Sequence, residues 1–459
     1  MHVELVVSVA PARRAALAVL RRVREREAFG PETLDAVLRA SGLSPRDTAL
    51  VTRLAYGTLQ TLGTLDEVID RMADRPSQLE PLVRDALRLA AYELLFMRTP
   101  ARAAVHEGVD AVRVVRAQAS GMANAVLRRI AGEADSFPWG DPASDDAALA
   151  RATGHPRWLV DRWIEELGRT RASEALWADL EPAPLYLWAN PFKASLVETL
   201  DVLIEDGAGA EADVWPECLR ATDAQAAVRG RAVAEGFALV ADAAAQLAPR
   251  ACAGSPGGVV VDVAAGRGTK TAQVQAACVA AGAACTLYAL DLHPFKADVL
   301  TRRMGDLGVP GVIAVVGDAT ALPDVEGLPE AGTADAVLVD VPCSGLGSLR
   351  RRPEKRWRVT PDDIERLAVL QADMLAHSAS LVKAGGRLVY STCTVSRSEN
   401  ADVAGAFLDG AKGAFRTADI ADIVPGAWAG DIGAEGWFQS IPRVGGPDGH
   451  FVAVFERVE

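Results

Sequence analysis

Val259-Val260-Val261-Asp262-Val263-Ala264-Ala265-Gly266-Arg267-Gly268-Thr269-Lys270 is the stretch whose reading settles the fold. A short β-branched run reads as a buried strand, the small residues after it as a tight loop, and the segment beyond Gly268 as a helix. Four more such runs recur at helix-length intervals: Thr286–Leu290, Val312–Val316, Ala336–Val339 and Arg387–Ser391. Strands spaced by helices predict βαβ crossovers and an α/β, doubly wound, Rossmann-like parallel sheet. Such sheets bind ligands at the carboxyl ends of their strands.

Those ends carry a pattern. The first four strands finish in Asp262, Asp291, Asp318 and Asp340, and the fifth in Ser391-Thr392-Cys393. One aspartate there is as readily a helix cap; four along one edge point to a ligand. The loop's small residues let that ligand approach the backbone. Neither the Gly-x-Gly-x-x-Gly fingerprint nor the Walker pattern is present, which argues against a pyrophosphate. Asp291, 23 residues beyond Gly268, is suited to ribose hydroxyls. A nucleoside without phosphates fits. S-adenosylmethionine is therefore the expected cofactor, held by Ala264, Ala265, Gly266, Arg267, Gly268, Thr269, Lys270 and Asp291.

The fourth strand end reads Asp340-Val-Pro-Cys343-Ser-Gly345, and the fifth Thr392-Cys393-Thr394. A thiol is needed when the carbon to be methylated is not nucleophilic, as at carbon 5 of cytosine. Thiolate addition at carbon 6 makes carbon 5 enamine-like, and elimination later restores the ring. An acid near ring nitrogen 3 stabilises the adduct. Either cysteine could instead be core filler; two at active-edge strand ends favour chemistry.

Working outward, residues 11–132 read as about six helices. Ser44-Pro45 is a helix start, and Val51, Leu54, Ala55, Thr58, Leu59 and Leu62 form one helical stripe. Leu17, Leu20 and Val23 form another. Glu133 to Asp146 clusters Gly, Pro, Ser and Asp without period and reads as a linker. Beyond it come helical Trp158–Leu167, a strand at Leu185–Ala189 and a helix at Ser195–Asp206. The expected domains are 1–135, helical; 136–235, mixed α/β; and 236–459, catalytic.

The 459 residues carry a net charge of −13. Residues 1–130 hold 19 Arg against 15 acidic residues (+4), which leaves 29 basic and 46 acidic residues (−17) for the rest. RNA contact is thus expected in local patches. The six cysteines form no Cys-x-x-Cys pair, and no zinc site is expected. The apolar opening Val3–Ala10 is too short for a membrane span and lacks a secretion signature, so a cytoplasmic protein without membrane partners is expected. A monomer is the expected state, although no residue pattern in the sequence decides it. His106, His155 and His377 stand at no ligand or triad spacing and read as structural.

The residues resemble the RNA 5-methylcytosine methyltransferases. The likeness rests on Asp340-Val-Pro-Cys-Ser-Gly, Tyr390-Ser-Thr-Cys-Thr with Glu399-Asn400, and Asp448-Gly-His-Phe451. It implies a catalytic set of Cys393, Cys343, Asp340 and Lys270. Cys393 would be the nucleophile, Cys343 would assist release, and Asp340 would contact the base and the cofactor end. Asp291 would hold the ribose and Asp318 the adenine amino group. Asn124-Ala-Val-Leu-Arg128 resembles the antitermination-factor-B fold, an RNA binder, with Arg128 and Arg129 as possible contacts. His155-Pro-Arg-Trp and Tyr186-Leu-Trp-Ala-Asn190 resemble the family's middle segment. Three departures stand out: Arg267 replaces the family's proline, Thr269 a glycine, and Trp188 an arginine.

Arg350-Arg351-Arg352-Pro-Glu-Lys355-Arg356-Trp357-Arg358 carries six positive charges and one negative one. A charge run is often a solvated face; here arginines and an aromatic ring suit phosphates and a displaced base, so RNA contact is expected. The expected function is methyl transfer to carbon 5 of a cytidine in ribosomal RNA, with no metal because the sulfonium is already activated. The alternatives are the same chemistry on transfer RNA, or a non-catalytic RNA-binding assembly or antitermination factor.

Overall fold

The computed structural model describes residues 9–26, 28, 30–97, 99–253, 257–322 and 324–458, so the opening apolar stretch lies outside them as far as residue 8. The chain forms two compact units, Met1–Pro182 with Leu349–Val359, and Ala183–Ser348 with Thr360–Glu459.

The first unit is helical. Among its described residues seven α-helices run from Pro11 to Glu133: Pro11–Arg26, Gly30–Ser41, Pro45–Gln60, Leu62–Met72, Pro81–Leu95, Ala101–Val115 and Ser120–Glu133. The cap at Ser44 is as the sequence predicts, its hydroxyl accepting the Asp47 N–H ahead of Pro45. Val51, Leu54, Ala55, Thr58 and Leu59 are all buried. The stripe does not continue through Leu62 as one helix. Thr61 turns its hydroxyl back onto the Gly57 carbonyl (2.7 Å) and leaves the helical region at φ −104°, ψ 14°. That break gives seven helices in place of about six.

The run after Glu133, expected as a linker, is packed. Phe137 and Trp139 lie against the helical core, and the Arg71 guanidinium sits 4.2 Å from the Trp139 ring centroid. Partial burial of two aromatic rings outweighs the missing periodicity. Helices Asp146–Thr153, Arg157–Leu167 and Arg169–Ala178 belong to the same unit, which therefore extends past the expected boundary at 135.

In the second unit β1 (Tyr186–Ala189), β2 (Ala210–Ala212), β3 (Cys218–Ala221) and β4 (Ala238–Val240) form an antiparallel sheet in the order β2-β3-β1-β4. Trp188 is core there, packed with Leu239, Leu300 and Met304. The larger sheet contains β5 (Val259–Val263), β6 (Thr286–Asp291), β7 (Val312–Val316), β8 (Ala334–Asp340) and β9 (Val382–Thr392), all parallel in the order β9-β8-β5-β6-β7. Every β-branched run singled out in the sequence is one of these strands. β10 (Phe415–Thr417), β11 (Phe438–Gln439) and β12 (Phe451–Arg457) add an antiparallel edge, with β12 on β9. The chain steps outward from β5 to β6 and β7, then crosses back to β8 on the other side of β5, so the switch point lies at the carboxyl ends of β5 and β8. Among the described residues no helix is long and apolar enough to cross a membrane.

Candidate active site

The loop leaving β5 holds three left-handed residues, Ala264 (φ 63°), Gly266 (φ 58°) and Gly268 (φ 76°). For Ala264 this costs about 1 kcal/mol, a strain typical of ligand loops. Its neighbours fix the loop: Ala265 N–H donates to Leu290 O, and Gly268 N–H to Ala265 O, both at 2.9 Å. A Cβ at Gly268 would lie 2.7 Å from the side-chain ends of Leu300 and Met304, which would have to shift, but it is the φ of 76° that favours glycine. A Cβ at Gly266 would meet only the Ala264 carbonyl, at 3.9 Å, so the crest of the loop is open. The two departures in this loop share one partner. Arg303 donates to the Arg267 carbonyl (2.6 Å) and to the Thr269 hydroxyl (3.3 Å).

Asp291, at the end of β6, accepts the Gly266 N–H (3.2 Å) and the His293 N–H (3.1 Å), with the Lys296 ammonium at 3.3 Å. It thus braces the loop. Asp318 lies two residues beyond β7, exposed, and caps its own turn through Thr320 N–H and Oγ1 at 2.9 and 2.8 Å. Those bonds hold its carboxyl below the usual range. Asp262 is fully buried; the Thr271 hydroxyl donates to one oxygen (2.6 Å), and the other has no partner among the described residues. Burial pushes its carboxyl up to about 7, against the Thr271 hydrogen bond and with help from the Asp340 charge.

Lys270, in the first turn of helix Thr269–Ala280, reaches across to Asp340 at the end of β8, Nζ to Oδ2 2.8 Å. The Ser391 hydroxyl donates to the other carboxylate oxygen at 2.6 Å. Burial opposes charge on both groups, yet their mutual attraction prevails: Asp340 is shifted below the usual carboxylate range and Lys270 above the usual ammonium one. The pair is ionised.

The two candidate thiols meet. Cys343 follows β8, Cys393 follows the neighbouring β9, and their Sγ atoms lie 2.9 Å apart, with the Cys393 N–H donating to Cys343 Sγ at 3.3 Å. Both are partly exposed, whereas Cys218, Cys252, Cys278 and Cys285 are buried, the first among β1–β4 neighbours and the others in the sheet core. The hydrogen bond to Cys393, then burial, pushes the Cys343 thiol well above its ordinary range. Lys270 also feels the Cys393 sulfur as a negative charge that raises its own pKa.

A buried carboxylate ties the two turns. Glu399, fully buried, accepts Ser344 N–H (2.8 Å), Ser344 Oγ (2.5 Å) and Gln371 Nε2 (3.0 Å), while Ser344 Oγ pairs with Thr394 Oγ1 at 2.9 Å. Asn400 accepts from the Thr392 hydroxyl (2.6 Å) and donates to the Thr394 carbonyl (3.0 Å). The motif Glu399-Asn400 is visible in the sequence, but its role in joining the turns is not. His450, at the foot of β12, lies in the Asp448-Gly-His-Phe451 motif, but the sequence assigns it no role.

The basic run belongs to the helical unit. Arg356 is fully buried and donates to the backbone carbonyls of Gly154 (3.1 Å), Asp179 (3.2 Å) and Thr153 (3.4 Å). Trp357 Nε1 donates to the Leu59 and Gln60 carbonyls, both at 3.1 Å, and its ring fills the space above Gly63, where a Cβ would lie 2.1 Å from it. Arg350 is 3% exposed. Arg350 and Arg356 are thus inside the fold, against the expectation of RNA contact, whereas Trp357 stays partly exposed. Arg351 and Lys355 are half-buried; Arg352 and Arg358 are exposed. Among the described residues no cluster of His, Cys, Asp or Glu could hold a metal. His155 is buried, with Nε2 3.4 Å from Asp179 Oδ2.

Comparison with known proteins places this geometry among relatives. A model of the 16S rRNA methyltransferase RsmB/F family matches residues 250–456, the NusB family 10–132, and an RsmF/B-like ferredoxin-like domain 155–227. The chain is 32% identical to a probable ribosomal RNA small subunit methyltransferase B of Bacillus subtilis, covering 86% of this chain and 88% of that one. It is 35% identical to a putative methyltransferase of Mycobacterium tuberculosis, over 84% and 83% of the two chains. The solved structure of PH0851 superposes with a TM-score of 0.78 at 25% identity, covering 98% of this chain and 99% of that one.

Proposed function

Because the chain belongs to the 16S rRNA methyltransferase RsmB/F family, we propose that it methylates carbon 5 of a cytidine in small-subunit ribosomal RNA through a covalent adduct on Cys393. The observation that carries this reading is the contact of two thiols, 2.9 Å apart, at the ends of neighbouring strands beside an ionised Lys270–Asp340 pair.

The residues of the β5 loop fit S-adenosylmethionine. The open crest at Gly266 admits a nucleoside against the backbone, Ala264 to Lys270 and Asp291 would hold it, and Asp318 would take the adenine amino group. When bound, that cofactor supplies an activated methyl group. The remaining chemistry is the protein's own. Cys393 lies 2.9 Å from the Cys343 sulfur and within the electrostatic reach of the Lys270 ammonium, a positive charge that favours its thiolate. It adds to carbon 6 of the cytosine, forming a sulfur–carbon bond and making carbon 5 nucleophilic towards the methyl. Asp340, ionised, accepts from the 4-amino group, while Lys270 carries the proton that can stabilise the adduct. Transfer of the carbon 5 proton to water and cleavage of the sulfur–carbon bond, whose electron pair returns to Cys393 as thiolate, restore the ring, and Cys343 assists this release. Arg351, Arg352, Lys355 and Arg358, each at least partly exposed, would contact RNA phosphates.

The test is nucleoside mass spectrometry of small-subunit ribosomal RNA incubated with S-adenosylmethionine and the protein or Cys393→Ala. New 5-methylcytidine with wild type alone is expected. Methylation of transfer RNA only would move the substrate, and none on either RNA would leave a binding protein as the reading.

A further inference from the structure

His450 is 4% exposed, and neither of its ring nitrogens has a hydrogen-bond partner among the described residues. Its backbone is fully engaged: the N–H donates to Ser440 Oγ (2.8 Å), and the carbonyl accepts from Ser440 N–H (2.9 Å) and Gln439 Nε2 (3.1 Å). The residue is therefore held rigidly while its ring is left unsatisfied. A buried polar side chain in that state costs about 1–3 kcal/mol. Such a cost is usual where a ligand completes the bonding.

The surroundings say which ligand. In the antiparallel β9–β12 ladder Phe451 pairs with Thr392, so His450 is the next residue outward on the same edge as Cys393. Gly449 N–H bonds to Gly347 O (2.8 Å), and Gly347 N–H bonds to Cys393 O (3.1 Å), which ties the His450 segment to the thiol turns. The charges of Lys270 and Asp340 both act on the ring, and Asp340 feels the ring in turn. Burial, with the Lys270 charge, pushes the imidazole down to about 4, so it is neutral at physiological pH and offers one donor and one acceptor.

We propose that His450 is a substrate contact, one of whose ring nitrogens hydrogen-bonds the polar edge of the target pyrimidine when the RNA base enters beside Cys393 and Asp340. This rests on the function proposed above. A cytosine edge presents both acceptors and donors, so a neutral imidazole can serve in either sense. The other candidate ligand, the cofactor, is separated by the test.

The full chain carrying His450→Phe keeps ring and bulk without polar atoms, and His450→Gln restores a donor and an acceptor. For His450→Phe, kcat/KM on small-subunit ribosomal RNA should fall about 10-fold or more, the loss of one buried hydrogen bond. S-adenosylmethionine affinity by isothermal titration should stay within about 2-fold. His450→Gln should recover part of the lost rate, which a merely structural role would not produce. Wild-type kcat/KM in His450→Phe would overturn the inference, as would a parallel loss of S-adenosylmethionine affinity. A wild type that methylates no cytidine would overturn the function reading itself, a different result from an active wild type with an equally active variant.

Discussion

Cys343 Sγ and Cys393 Sγ touch at 2.9 Å although fifty residues separate them in the chain. Parallel pairing of β8 with β9 is what brings them together, since each lies just beyond the carboxyl end of its strand. Their roles are separable by experiment. Cys393→Ala should abolish methyl transfer and any covalent RNA adduct. Cys343→Ala should let the adduct accumulate, seen as a slow-migrating band on a denaturing gel, because release fails. The reverse pattern would exchange the assignments.

Asp262 gives a pH dependence of defined sign. Its carboxyl is pushed up to about 7 from an ordinary 3.8, so the folded protein binds this proton more tightly than the unfolded chain does. The stability it contributes is fully present below the unfolded value and is lost as pH rises towards 7. In Asp262→Asn that loss is absent. The melting temperature of the variant relative to wild type should therefore climb between pH 5 and pH 8. A rise of a degree or more is expected, since 1 kcal/mol moves Tm by roughly 2–4 °C in domains of about 150–250 residues and by less in larger ones. A difference that stays flat across this range would refute the assignment. Asp340 acts oppositely, its lowered pKa placing any loss on the acid side.

Much of this architecture is legible in the sequence, and the reasons are physical. The five parallel strands can be read because each is a β-branched run bounded by turn residues, and their buried faces demand that composition. The ends of β6, β8 and β9 deliver Asp291, Asp340 and Cys393 because topology fixes where strand ends point. The features that escape are those that depend on partners distant in sequence. Arg356 reads as a surface cation in any window, and only the Thr153, Gly154 and Asp179 carbonyls, far upstream, make it a core residue. The run after Glu133 reads as a linker because aperiodicity hides the burial of Phe137 and Trp139.

Glu399 should matter as much as the thiols without being one of the reacting groups. Glu399→Ala strips the acceptor from Ser344 N–H, Ser344 Oγ and Gln371 Nε2 at once, all in a buried setting. A loss of about 3 kcal/mol in stability is expected, and the crosslinking of Cys343 to Cys393 by a thiol-specific bifunctional reagent should fall with it. Glu399→Gln keeps the shape and one acceptor, and should retain more of both. Equal behaviour of Glu399→Ala and wild type would show that the two turns hold their spacing without this carboxylate.

The basic run supplies two variants with opposite signatures. Arg356→Met removes the donors to three backbone carbonyls in a fully buried site, and should cost about 2–4 kcal/mol of unfolding free energy, read by denaturant titration. Burial lowers the pKa of this guanidinium to about 10, so it is still charged at neutral pH and the lost bonds are charge-assisted ones. Arg352→Ser alters an exposed side chain. Stability should change by less than about 0.5 kcal/mol, while RNA affinity weakens and the slope of log K against log salt flattens by about one. An Arg352→Ser protein with the wild-type salt slope would remove this segment from the RNA surface. A fully stable Arg356→Met would mean that the guanidinium does not hold the basic run in the helical unit.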